Sequence, residues 1–416
     1  MAQFKSKILT VFLVMLFPVL MFAADWPQFR GLNRDGISPE TGLLEQWQPD
    51  GPKLIWSTEI LGSGFSSPSI ANGRVFVTGE IDGEETVFAF DLSGKELWKT
   101  TYGPMWKGSY PAVRTTPTVD GSNLYVISGM GNIACMDVQS GQIKWQVQAV
   151  DRFKGEYDRW GISESALIVD DIVIVTPGGP DASLVGLNKQ TGATVWTSKG
   201  LSDKASYCSP VLVERGNKKI VVTMLENHFV GVDAKTGKVY WSDAFSEYQD
   251  DAKSINPVSP IVHNGMIYTT SGYDDGGAMY ELSADGTSVT RKWTDATLDV
   301  HIGGAVLIDG IIYGSNWENN RNGNWVALDW QTGTTRYEHK WITKGAIIAA
   351  DGKLYCYEEK DGNFGLVNAI PEKFDLISSF EITKGSKQHW AHPAISDGRL
   401  YVRHGEALMV YDIKAQ

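Results

Sequence analysis

Cysteine is scarce in this chain: Cys135, Cys208 and Cys356 are three in 416 residues, far apart and odd in number. A disulfide framework is therefore excluded, because at least one thiol stays unpaired, and all three read as small core residues. Basic charge is also short, with 37 Lys plus Arg against 49 Asp plus Glu and a net charge of −12. A nucleic-acid partner needs a basic surface and is not expected. Beyond residue 21 no apolar run approaches the roughly 20 residues of a membrane span. P-loop, His-Glu-x-x-His and Gly-x-Ser-x-Gly motifs are all missing, so the chemistries they carry have no support. "GMGNIA" at 129–134 mimics a dinucleotide fingerprint, but it joins two strand-like runs and opens no helix.

The one long apolar run is at the start. Lys5 and Lys7 precede Ile8–Met21, and Phe22-Ala23-Ala24 supplies small residues for cleavage. Residues 1–24 are expected to be a signal peptide, which directs the chain to the periplasm or beyond. No cysteine follows the run, so lipid attachment there is not expected. Cleavage removes two lysines and no acid, taking the charge from −12 to −14.

What the chain has in quantity is 44 Gly and 15 Trp. They belong to a repeat. "FVGVDAKTGKVYWSD" at 229–243 is echoed by "LVGLNKQTGATVWTS" at 184–198, "IACMDVQSGQIKWQV" at 133–147 and "WVALDWQTGTTRYEH" at 325–339. Each follows a short apolar strand, a Gly/Asp/Asn turn and a β-branched or aromatic strand, as in "SPIVHNGMIYTTS" at 259–271. Eight copies recur at roughly 40–50 residues, four strands to a copy, which is the period of a β-propeller blade. Trp98, Trp145, Trp196, Trp241 and Trp293 end the fourth strands, with Tyr337 in the sixth copy. Rings at that recurring position are expected to pack between neighbouring blades. The seventh copy, "NAIPEKFDLISSFEI", has lost the turn motif. The eighth stops at "LMVYDIKAQ" without a Trp strand, while an orphan Trp strand, "PKLIWSTEI" (52–60), precedes the first. The N-terminal strand should therefore complete the last blade and remove the open edge. The expectation is an all-β, eight-bladed propeller over 52–416, preceded by an irregular segment at 25–51.

The pattern resembles the PQQ-like (quinoprotein-like) eight-bladed propellers over nearly the whole mature chain. "GVDAKTGKVYW" fits that family's tryptophan-docking motif apart from Gly231 at its Ala position, and "DWPQFRGLNRDG" (25–36) is similar to the start of exported bacterial PQQ-repeat, polyvinyl-alcohol-dehydrogenase-like members. The resemblance implies two functions. One is a monomeric binding scaffold in the cell envelope for a protein, small molecule or glycan, related to the propeller lipoprotein of outer-membrane β-barrel assembly. The missing lipid-attachment cysteine departs from that relative. The other is a PQQ-dependent alcohol or sugar dehydrogenase using calcium, although the adjacent-cysteine pair of quinoprotein alcohol dehydrogenases is absent.

Function is expected where the copies differ, on loops carried by the scaffold. The four positions before Pro68, Pro117, Ala166, Pro210, Pro260, Ala305, Ala346 and Pro393 should ring one mouth of the central channel. They hold His301, His389 and His392, three of seven histidines, with Arg114, Glu164, Lys344 and Asn256 and the aromatic surfaces Phe65, Tyr207 and Trp390. Convergent polar groups beside aromatic walls suit a ligand site. A bland alternative stands beside it, in which Ser and Thr only satisfy strand-start backbone groups and the histidines merely line the channel. For PQQ, Arg114 and Lys344 would supply charge, Trp390 or Phe65 a face, and Glu164 with Asn256 a thin oxygen set for calcium. His301, His389 and His392 as metal ligands is a weaker reading, since i and i+3 diverge on an extended segment, and no metal is expected. Hairpin turns explain acidic "SGYDDGGAMYELSADG" (271–286) better than a calcium loop, whose spacing it lacks, and "NWENNRNGNW" (316–325) reads as a hairpin loop whose Trp rings pack beneath it or meet a partner or a sugar.

Overall fold

The computed structural model describes residues 25–157, 159–245 and 255–415, so the expected targeting segment lies outside the described residues. Eight four-stranded antiparallel sheets radiate from one axis. They span 69–104, 118–148, 167–197, 211–243, 261–295, 305–339, 345–381, and 394–412 joined by Lys53–Thr58. The first strand of each blade lies innermost and the fourth, which bears the Trp in six of them, lies outermost. Among the described residues no helix is long and apolar enough to cross a membrane.

The core lies between blades. Phe76, Val87 and Ala89 of the first blade, for example, pack on Leu124, Val126 and Met136 of the second. The repeated turn joins these layers. In the fourth blade the Asp233 carboxylate accepts from Lys235 N at 3.1 Å, Thr236 N at 2.7 Å and Thr236 Oγ1 at 2.7 Å, a side chain closing its own turn. Gly237 then takes φ +73°, and the Trp196 ring of the preceding blade lies on it. Trp196 Nε1 donates to Ala234 O at 3.0 Å. The same docking joins Trp56 to Leu92 O, Trp98 to Val138 O, Trp145 to Lys189 O and Trp293 to Gln331 O, all at 3.0–3.1 Å.

Two joints differ. Trp241 Nε1 meets no acceptor among the described residues, because the fifth blade's turn is built on Ser283 and Asp285 instead. That joint is held by Asp243, which accepts from Tyr280 OH at 2.9 Å and pairs with Arg291. Between the sixth and seventh blades, Trp325, Trp341, Phe374 and His339 form an aromatic cluster where the motif is lost. The seventh blade nevertheless keeps all four strands paired.

Closure follows the expectation. Lys53–Thr58 pairs antiparallel with Ala407–Asp412 as the outer strand of the eighth blade. Arg403, fully buried, adds a second lock by donating to Ser66 Oγ and Thr78 O of the first blade.

The segment at 25–51 does more than precede the blades. It enters beside Asn72, where Asp25 contacts the turn of the first blade, and it bridges Ile70 through Trp26 at 2.8 Å both ways. It then runs into the channel. Arg34 donates to Ser165 O and Pro210 O, both at 3.0 Å, and to Ala166 O. Arg30 donates to Ile347 O at 3.2 Å and to Ala305 O. Both guanidiniums are almost wholly buried, and burial pushes each down to about 10. The segment leaves past Ala349, where Ser38 N donates at 2.8 Å. Its Trp47 packs on Tyr355, Phe364 and Phe380, supplying the ring that the seventh blade lacks.

Candidate functional site

At the strand-entry end of the channel lies a cavity of about 900 Å³, with Phe29 of the inserted segment on its wall. The chain approaching each inner strand is extended, so alternate side chains face the cavity and the blade. Counting back from each reference Pro or Ala, the first and third positions point inward. Phe65, Arg114, Tyr207, Trp390 and His392 fall on that parity and line the cavity, and His301 joins them one position out of phase.

Glu164 and Lys344 fall on the other parity and turn into the blades. Glu164 accepts from Thr176 N at 2.7 Å and Thr176 Oγ1 at 2.6 Å, and burial pushes its carboxyl up to about 7. Lys344 pairs with Glu359 at 2.8 Å and donates to Asn319 O at 2.9 Å. Asn256 and His389, four positions back, are also outside the cavity. The Asn256 amide ties down Leu225 O at 2.8 Å. His389 Nδ1 contacts Tyr357 OH at 2.6 Å, and its ring stacks on His404 at 3.6 Å.

Burial holds all three ring histidines neutral, with pKa values near 3. Arg30 Nη1 faces His392 Nδ1 at 3.2 Å and can only donate, so Nε2 carries the proton and donates to Ile302 O at 2.8 Å. His392 therefore anchors the inserted segment. His301 differs: Nε2 meets Tyr273 OH at 3.0 Å, while Nδ1 lies buried 4.0 Å from Glu359 Oε2 without a hydrogen bond.

For most hydroxyls at the mouth the structural reading holds. Thr116 Oγ1 accepts from Ser67 N at 3.1 Å, Ser165 Oγ from Thr116 N at 3.1 Å, and Ser209 Oγ from Ser165 N at 2.9 Å. These rungs link four successive blades.

The four-residue windows before the strand starts leave out part of the wall. Tyr110, Arg159, Trp160, Tyr273 and Trp317 also line the cavity, but they come from longer loops outside the four-residue window. Trp317 and Trp325 of "NWENNRNGNW" divide: the first lines the cavity and the second is buried in its blade. Phe65 meets Trp390 at 4.9 Å, Tyr110 meets Trp390 at 5.0 Å, Trp160 meets Tyr207 at 5.7 Å and Tyr273 meets Trp317 at 5.0 Å. Arg114 sits 5.7 Å from the Phe65 ring centre and Arg159 5.5 Å from that of Trp160.

The site does not fit PQQ with calcium. The Glu164 carboxylate is spent on Thr176 and the Asn256 amide on a different blade. No cluster of three His, Cys, Asp or Glu among the described residues is arranged to hold a metal. The paired rings are tilted by 46–61°, leaving no parallel slot for a flat tricycle.

A family model described as outer membrane protein assembly factor BamB matches residues 37–103 and 83–343. The outer membrane protein assembly factor BamB of Moranella endobia is 26% identical over 343 residues, covering 74% of this chain and 79% of that protein. The crystal structure of BamB from Moraxella catarrhalis aligns with a TM-score of 0.63 at 16% identity, covering 87% of this chain and 98% of that one. Quinohemoprotein alcohol dehydrogenase from Comamonas testosteroni aligns at 0.70 with 13% identity, covering 94% and 81%. At such identities the two structural likenesses establish the fold alone.

Proposed function

We propose that this chain, which belongs to the family described as outer membrane protein assembly factor BamB, is an exported, monomeric binding scaffold of the cell envelope. Its channel mouth holds the ligand or partner. The observation that carries the reading is the contrast between the two kinds of site. The docking turns repeat from blade to blade, while the mouth is built from unlike, aromatic-rich loops around a cavity of about 900 Å³. The Moranella relative is named for outer-membrane protein assembly, which favours the cell envelope as the place where the ligand or partner is met. The misfit to PQQ and calcium weighs against the dehydrogenase.

The test is photo-crosslinking in cells from position 317 at the mouth and, as control, from position 195 on the outer rim, where Val195 is exposed. Adducts with one identified envelope protein or glycan from 317 but not 195 support the reading. Equal adducts from both, or none from 317, would sink it. Titration with PQQ and calcium is expected to leave the melting temperature unchanged, and a saturable rise would restore the dehydrogenase.

A further inference from the structure

The polar groups of the mouth are unbalanced. Among the described residues the cavity wall carries two guanidiniums, Arg114 and Arg159, and no carboxylate, although the chain as a whole is acidic. Arg114 spends Nη2 on Ser109 O and Tyr110 O, but its buried Nε has no acceptor. Thr116 and Ser209 accept backbone amides, which leaves each hydroxyl proton to donate. Among the described residues the buried Ser67 Oγ has no partner either. Among the described residues the wall thus offers more free donors than acceptors, and a buried donor left unmatched is costly. The matching ligand is rich in acceptors and negatively charged.

Its shape follows from the rings. Three aromatic stations, at Phe65–Trp390, Trp160–Tyr207 and Tyr273–Trp317, are spread around the mouth, and the two rings of each are tilted against one another. They suit several small apolar faces separated by polar groups. A peptide backbone fits less well, since every non-proline residue brings an N–H that needs an acceptor.

We infer that the mouth binds an acidic oligosaccharide, a short chain of pyranose rings bearing carboxylates. Sugar faces rest on the aromatic stations, and carboxylates meet Arg114 and Arg159, whose planar forks match that group. This rests on the reading of the mouth as the ligand face.

Calorimetric titration of the purified protein with trigalacturonate, beside neutral maltotriose, tests it. Saturable binding of the acidic trimer, at least tenfold tighter than the neutral one and weakened by salt, is expected. R114Q and W390A should each weaken it at least tenfold. R159Q, on an exposed residue, should weaken it several-fold without affecting folding. Equal affinity for both trimers would overturn the charge argument. Acidic binding untouched by all three variants would overturn the location. No binding of either trimer would overturn the ligand class. In the last case crosslinking from position 317 still decides the scaffold reading separately.

Discussion

Gly237 explains why the repeat keeps its glycine. Its φ is +73°, and an added Cβ would lie 2.4 Å from the Trp196 ring. Gly73 has nearly the same φ, +70°, with nothing within 4 Å. Gly73→Ala should therefore cost only the left-handed backbone, about 1–2 kcal/mol. Gly237→Ala should cost a further ~1–3 kcal/mol, because the docked ring must move. Urea unfolding of the two variants separates the terms, and equal losses would mean the ring contributes nothing. Glu164 gives a prediction in pH. Its carboxyl titrates near 7 in the fold against 4.5 ordinarily, so the folded protein holds the extra proton between those values. That contribution is complete below pH 4.5 and is lost as pH rises through 7. Relative to wild type, Glu164→Gln should gain about 2–3 kcal/mol between pH 5 and pH 8. A difference that does not change with pH would mean Glu164 is ionised throughout.

Among the elements, the blades were readable and the inserted segment was not. Strands, Asx-type turns and docking rings are spelled out within some 15 neighbouring residues, so local alternation and Asp-x-x-Thr-Gly reveal them. Arg30 and Arg34 instead meet carbonyls 131 to 317 positions away, and no local pattern records such a contact. The ring lay in between. Alignment of the repeats locates its positions, and the two-residue alternation of an extended strand separates Arg114 from Glu164. The loops carrying Trp160, Tyr273 and Trp317 had no repeat to align. The inserted segment also makes a prediction. Arg34→Met strands the carbonyls of Ser165, Ala166 and Pro210, at a cost of about 2–4 kcal/mol. Hydrogen exchange should then quicken at Ser38 and Ala349, where the segment leaves the channel; unchanged exchange would show that Arg34 does not hold it.

At the scale of the whole molecule, the ring is held by its seam. Trp56 carries the eighth blade onto the first through Leu92 O and the Gly94 turn. Trp56→Ala should cost about 3–5 kcal/mol. It should also make 53–58 and 407–412 exchange ahead of the other blades. Uniform loss of protection around the ring would instead mean that closure is no weaker than any other joint.

The pairing of Lys53–Thr58 with Ala407–Asp412 also sets an order in time. The strand at 53–58 must wait for the one at 407–412 while the seven blades between them are synthesised. Bringing ends so distant together costs only logarithmically in entropy, but it delays the final step of folding. Until residue 412 arrives, one sheet edge stands open, and a chaperone, a misplaced strand or a second nascent copy has that interval in which to reach it.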